Sequence, residues 1–183
     1  MITYKEAINI LSNALQPLPD FKIASEQAHG VLARDVISTE EVPNFSNSAM
    51  DGFAVRSVET NGANEDNPVR LEVRGCILAG ELAPAIDQKE SCCEIMTGSV
   101  MPTGFDAVIP VEQVEITDEG GKAFIVINQS VQTGRNVRFS GEDFKPGQVV
   151  AKKGQLLNPH ILMAINANKI ESVSVYRPPN VGI

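Results

Sequence analysis

Tryptophan is absent from this 183-residue chain, and aromatic residues make up only 5% of it. The chain is therefore poorly supplied with the stacking platforms that hold single-stranded nucleic acid. Basic residues are also in deficit, with 15 Lys and Arg against 23 Asp and Glu and a net charge of −8. Counterion-release binding needs a basic footprint, so nucleic acid is not expected as a partner. Long apolar runs are missing as well. None approaches the ~18 residues of a membrane span, and residues 1–16 lack the basic start and apolar centre of a secretory signal. A cytoplasmic protein without membrane contact is the expectation.

Cysteine is scarce and odd in number: Cys76, Cys92 and Cys93. With no secretory signal, this argues for free thiols rather than a disulfide framework. Cys92 and Cys93 are adjacent, so on a strand their side chains point to opposite faces, and His29 and His160 lie far away in sequence. Buried structural thiols are expected there. H-E-x-x-H, C-x-x-C, G-x-S-x-G and dinucleotide fingerprints are all missing, which leaves zinc hydrolysis, nucleophilic serine or thiol catalysis and Rossmann-type binding without support.

What is present suits a folded chain, since 43% of residues are hydrophobic and 21% charged. Thr3 and Glu6 form a T-x-x-E capping box ahead of Ile8, Leu11 and Leu15, which predicts a helix ended by Pro17 and Pro19. A short second helix is expected from Ser25 through Ala28 to about Leu32, then an extended stretch from Asp35 to Thr39. Asn158 as N-cap with Pro159 at the first position predicts a third helix, bearing Ile161, Leu162 and Ile165 and running to about Asn168. Alternation from Ile170 to Tyr176 predicts a strand.

From about Asn44 to Arg138 no 3.6-residue period holds. β-rich runs appear instead at Val69–Leu78, Cys92–Met96, Ala107–Val114 and Ala123–Ile127. Asp118-Glu119-Gly120-Gly121 reads as a hairpin turn, and a second hairpin is expected around Lys152-Lys153-Gly154. The fold class is accordingly α+β and β-rich. A discontinuous α/β domain (1–44 with 140–178) is formed by both chain ends, and a β-barrel-like domain (45–139) is inserted in it. The closing Arg177-Pro178-Pro179-Asn180-Val181-Gly182-Ile183 reads as a rigid linker and the first residues of a new strand, so 179–183 is expected to begin a further domain; a frayed natural terminus is the alternative.

Three segments combine turn residues with chemistry. In Asn47-Ser48-Ala49-Met50-Asp51-Gly52-Phe53-Ala54, a tight Asp51-Gly52 turn would project a carboxylate of the type Mg²⁺ prefers, with Met50 and Phe53 buried beneath; a plain Asx turn is the alternative. Ile95 to Asp106 runs from a strand into a loop whose Thr97, Ser99 and Thr103 hydroxyls and amides could hold an anion, unless it is an ordinary connection. Gly134 to Asp143 places Arg135 and Arg138 ahead of Glu142 and Asp143. Those guanidinium groups either meet a phosphate-like oxyanion or pair internally with the acids.

Together these segments resemble the amino-terminal half of the MoeA family, the molybdopterin molybdenumtransferases that include the gephyrin E domain. The resemblance rests on Pro43 to Ala54, on Ile95-Met96-Thr97-Gly98 with Pro102, Gly104, Asp106, Ala107 and Val108, and on Gly134 to Arg138 with Gly141-Glu142-Asp143. It implies Mg²⁺-dependent insertion of molybdate into adenylylated molybdopterin with release of AMP. It also implies a homodimer whose site lies between the β-rich domain of one subunit and an α/β domain of the other, the latter following the end of this chain. A dimerisation role for the 1–44 and 140–178 domain comes with it, as does the molybdopterin adenylyltransferase as a further partner. By position the resemblance assigns Asp51, Thr97, Arg138 and Asp143 to catalysis, with Asp51 and Asp143 organising the metal or the attacking water. Thr97 would donate to an oxyanion and Arg138 would neutralise phosphate or molybdate. Ser48 and Arg135 join Thr97 and Arg138 as substrate contacts, and Glu142 is read as a structural acid. The chain departs from the family pattern at Lys89-Glu90-Ser91-Cys92-Cys93, where a Gly and an Arg are usual. A gephyrin-like scaffold and a stand-alone binding module without catalysis are the alternatives to an enzyme; on the enzyme reading the fragment is not expected to be active alone.

Overall fold

The computed structural model describes residues 2–180 and 182; Met1, Val181 and Ile183 lie outside the described residues, and with the last two goes part of the expected 179–183 start. In chain order the elements are α1 (Tyr4–Ala14), β1 (Asp20–Ala24), β2 (Val36–Ile37), β3 (Asn47–Ser48), β4 (Gly52–Val55), β5 (Val69–Ile77) and β6 (Ser91–Ile95). β7 (Ala107–Pro110), β8 (Glu115–Glu119), β9 (Lys122–Ile127), β10 (Val137–Arg138), β11 (Val149–Ala151), α2 (Pro159–Ala167) and β12 (Ser172–Tyr176) complete the order. The chain divides into two compact units, residues 1–40 with 144–183, and residues 41–143.

In the first unit the two ends of the chain meet as strands. β1 pairs antiparallel with β12, from Asp20 opposite Tyr176 to Ala24 opposite Ser172, and β2 pairs antiparallel with β11. Leu32, Ile165, Val173 and Val175 are fully or almost fully buried in the core beneath. Both helices begin as their caps dictate. Thr3 accepts from the Glu6 amide at 3.2 Å while the Glu6 carboxylate accepts from the Thr3 amide at 2.7 Å. Asn158 Oδ1 accepts from the Ile161 amide at 3.0 Å, with Pro159 in the first turn where no N–H is needed. Asn158→Ala is expected to cost about 1 kcal/mol of stability, read as a lower midpoint in urea.

Two expectations for this unit need correction. The helix expected from Ser25 to Leu32 shrinks to a single 3₁₀ turn, Ser25–Gln27. Gly30 takes φ +91°, outside helical backbone, and Val31 and Leu32 form β-bridges to Leu156 and Val175. The Lys152–Gly154 segment is a turn, but not of a hairpin, because its flanks pair with β2 and with Val31 rather than with one another. No residue of α1 is buried, and Ile8, Leu11 and Leu15 remain exposed.

The second unit is built on a six-stranded sheet in the order β7-β4-β6-β5-β9-β8. Gly120 and Gly121 both take positive φ and close the β8–β9 hairpin in two residues. The sheet is covered on both faces, with Phe53, Val55, Leu71, Cys92 and Ile125 in one core and Ala54, Ile77, Cys93, Ile95 and Val108 in the other. Cys92 and Cys93 thus do point to opposite sides. Burial pushes the Cys92 thiol up to about 12 and Cys93 up to about 11, so both stay protonated and inert at neutral pH.

The sheet is open, which corrects the barrel-like expectation. β7 and β8 do not pair with each other. The outer edge of β7 is taken instead by a loop: the Val108 amide donates to the Arg135 carbonyl at 2.9 Å, and Asn136 Nδ2 donates to the Val108 carbonyl at 2.9 Å. β7 itself ends on Pro110, which has no N–H to extend a ladder, and a 3₁₀ turn, Val111–Gln113, leads into β8.

Candidate functional site

The three sequence segments converge in the second unit. β3 pairs antiparallel with β10, setting Ser48 opposite Val137 and Asn47 opposite Arg138, so the first segment lies beside the third. The second segment crosses to the first through the Gly98 amide, which donates to the Ser48 carbonyl at 2.8 Å, and the Ser48 amide, which donates to the Ser99 carbonyl at 3.0 Å. Ser48 is 1% exposed, and its hydroxyl donates to the Met50 carbonyl, so it shapes the loop from within.

Asp51 stands exposed where this loop enters β4. Its Oδ1 accepts twice from Thr97, from the amide at 2.7 Å and from the hydroxyl at 2.7 Å. These bonds, the backbone one foremost, hold the Asp51 carboxyl below the usual carboxylate range. Among the described residues Oδ2 carries no hydrogen bond. Thr97 therefore spends both donors on Asp51. Gly52 is not a turn residue as expected but the first residue of β4, pressed against β7: a Cβ there would stand 2.0 Å from the Ile109 carbonyl oxygen. Phe53 is buried as expected, whereas Met50 is 42% exposed and does not lie beneath the carboxylate.

Arg138 donates through Nη2 to Asp143 Oδ2 at 2.6 Å, an ion pair roughly half exposed on both sides. The internal-pairing alternative thus holds for these two. Glu142 accepts from the Phe139 amide at 2.9 Å and shapes the same loop, as its structural reading expects. Arg135 has no carboxylate partner among the described residues and donates to Gln113 Oε1 at 3.1 Å. Just ahead of the divergent Lys89–Cys93 segment the chain is anchored by Arg56, which donates to the Gln88 carbonyl at 3.1 Å and also to that of Ile86.

A fourth group escaped the sequence reading. Asp106 accepts from the Ser57 amide at 2.6 Å, the Ser57 hydroxyl at 2.7 Å and the Thr133 hydroxyl at 3.1 Å, while its carbonyl accepts from the Gly134 amide at 2.7 Å. It ties the start of the arginine segment to the sheet. No local pattern marks this, because Ser57 and Thr133 are 49 and 27 residues from Asp106 in sequence. Burial opposes ionisation of Asp106, but the Ser57 and Thr133 bonds outweigh it and hold its pKa below the ordinary 3.8. A carboxylate with a depressed folded pKa stabilises above the unfolded value and loses that contribution as pH falls through the folded one. Asp106→Asn is therefore expected to lower urea stability at pH 7 and to flatten the loss of stability below about pH 4, a comparison that acid titration by circular dichroism checks.

As a metal centre the site is incomplete on this chain alone. No group of three or more His, Cys, Asp or Glu converges to hold an ion among the described residues. Asp51 and Asp143 sit in separate pairs, with Thr97 and Arg138 respectively. Among the described residues each keeps one carboxylate oxygen without a hydrogen bond, which suits an ion that arrives with substrate oxygens, as Mg²⁺ commonly does beside phosphates.

Residues 2–168 match the family model described as the MoeA N-terminal region, domains I and II. Over 184 aligned residues the chain is 33% identical to a molybdopterin molybdenumtransferase of Staphylococcus aureus (strain Mu50), covering 100% of this chain and 43% of that protein. It is 38% identical over 162 residues to the molybdopterin molybdenumtransferase of Bacillus subtilis (strain 168), covering 86% of this chain and 37% of the relative. The crystal structure of a molybdopterin biosynthesis MoeA protein from Pyrococcus horikoshii OT3 superposes with a TM-score of 0.87 at 34% identity, over 96% of this chain and 46% of that one. The chain thus spans less than half the length of these relatives.

Proposed function

The chain belongs to the family of the MoeA N-terminal region, and from that membership we propose that it serves molybdenum cofactor biosynthesis as part of a molybdopterin molybdenumtransferase. In this reading molybdate enters the dithiolene of adenylylated molybdopterin, AMP leaves, and the chain supplies one wall of a site shared across a homodimer. The observation that carries it is the pairing of three separate segments around the loop that presents Asp51, an exposed carboxylate that accepts two hydrogen bonds from Thr97.

Asp51 fixes a negative charge that can orient an attacking water or a cation-bound phosphate. Thr97 acts through Asp51, since both of its donors are committed to that carboxylate. Arg138 presents to an oxyanion the guanidinium nitrogens that Asp143 does not take, and Arg135 adds a second cation. Mg²⁺, held by Asp51 or Asp143 together with substrate oxygens, would offset the charge of phosphate and molybdate. The exposed Ile8, Leu11 and Leu15 stripe on α1 supports association of the first unit with a second subunit.

The test joins residues 1–180 to the remaining length of the Bacillus subtilis relative and follows molybdate-dependent AMP release from adenylylated molybdopterin. Turnover by a folded dimeric chimera is the expected result; a folded dimer without turnover contradicts the reading. Arg138→Met in that chimera is expected to raise the concentration of molybdate needed for half-maximal rate by about tenfold, the effect of losing one charge-assisted contact.

A further inference from the structure

The two edges of the six-stranded sheet are finished differently. At one, β7 ends on Pro110 and is covered by the loop of Arg135 and Asn136, both common protections of an exposed edge. At the other, β8 carries no proline, runs in unbroken register with β9, and has no strand or bridge on its outer side among the described residues. The two-residue Gly120-Gly121 turn makes Glu119 and Lys122 a hydrogen-bonded pair. The alternation of an antiparallel ladder then turns the N–H and C=O of Asp118 and Ile116 outward. That edge is open to a further strand.

The side chains of β8 select the kind of strand. Leu71, Ile125 and Ile116 stand opposite one another across β5, β9 and β8. The first two are fully buried whereas Ile116 is 54% exposed, so this apolar row stops one strand short of cover. Acids surround it. Glu119 pairs with Arg70, but Glu112, Glu115 and Asp118 make no ion pair among the described residues. The second unit as a whole holds 7 Lys and Arg against 17 Asp and Glu, a net charge of −10, while the first unit holds 8 against 6. Two such edges repel, which disfavours a second copy of β8, whereas a strand bearing Lys or Arg is attracted.

We propose that the β8 edge takes up an extended, lysine- or arginine-rich segment of a partner protein as a seventh strand, with one apolar side chain laid over Ile116. Main-chain bonds to Ile116 and Asp118 supply the affinity, and the unpaired acids supply the choice of partner. The surface lies outside the three segments assigned to turnover, so it stands or falls independently of the transferase reading.

The test is isothermal titration and amide hydrogen exchange of the 183-residue chain with a short acetylated peptide of alternating lysine and valine. Binding that weakens with added salt is expected, with exchange at the Ile116 and Asp118 amides slowed about tenfold or more and other surface amides unchanged. The same peptide N-methylated along its β8-facing edge keeps the charge but cannot extend the ladder, and is expected to bind about tenfold more weakly. Ile116→Pro spares the ladder to β9, because the Ile116 N–H points outward, and is expected to lower binding to the level of the N-methylated peptide. Glu115→Lys, at an exposed and unpaired position, is expected to weaken binding about threefold at low salt. It carries the test alone should circular dichroism show that Ile116→Pro does not fold. No peptide binding, equal binding of the N-methylated peptide, or slowed exchange elsewhere than in β8 would overturn the proposal. Slowed exchange at Ile116 and Asp118 on raising the chain concentration without peptide would overturn it in favour of a second copy.

Discussion

Asp51→Ala in the chimera is expected to reduce molybdate-dependent AMP release by roughly a hundredfold or more, the range seen when one preorganised charge is removed from a reacting centre. The protein should remain folded, because the Asp51 side chain is exposed and, among the described residues, bonds only Thr97. Asp51→Asn sharpens the expectation. The amide keeps the shape and one accepting oxygen for Thr97 but carries no charge, so it separates geometry from electrostatics. If the negative charge does the chemistry, Asn should be nearly as damaging as Ala. If Asp51 only closes its loop on Thr97, Asn should be close to normal.

Gly52→Ala is expected to damage the fold itself. The added carbon would stand 2.0 Å from the Ile109 carbonyl oxygen and 2.9 Å from the Pro110 Cα, contacts no side-chain rotation can relieve because both neighbours are backbone. β4 lies between β7 and β6, so displacing β7 opens the second unit at its core. A loss of about 3 kcal/mol or more, or failure to fold, is the expected outcome in urea titration, at the upper end of overpacking effects. Little change in midpoint would mean that β7 and β4 separate freely, and that the loop carrying Asp51 is not braced as described.

The sequence made some of this legible and hid the rest for physical reasons. Helix starts were readable because capping is local: Thr3 with Glu6, and Asn158 with Pro159, act within one turn. β9 is legible from its run of β-formers, Phe124 to Ile127, and the first half of β5 from the alternation of Val69, Leu71 and Val73 with Arg70, Glu72 and Arg74. The stretch after Ser25 departs from its helical expectation because helix-compatible residues there serve long-range pairing, with Leu32 fully buried against β12 and Gly30 at positive φ. Asp51-Gly52 carries a turn signal, yet its glycine answers to a strand more than fifty residues away, which no local pattern reports. The membership of the three motif segments was legible; their pairing was not. Thr97 was expected to face an oxyanion, whereas its two donors go to Asp51, and the Asp106 bracing became visible only in three dimensions.

The central proposal is that Asp51, its carboxylate fixed by two hydrogen bonds from Thr97, is the working group on this chain's side of the proposed transferase site. The most direct test is the pH dependence of molybdate-dependent AMP release by the chimera with Thr97, Thr97→Ser and Thr97→Val. Serine keeps both donors and is expected to preserve rate and profile. Valine keeps the amide but removes the hydroxyl, so the Asp51 pKa should rise, and the acid limb of the profile should move to higher pH along with a loss of rate. An acid limb that stays in place in all three proteins, with unchanged rates, would contradict the account.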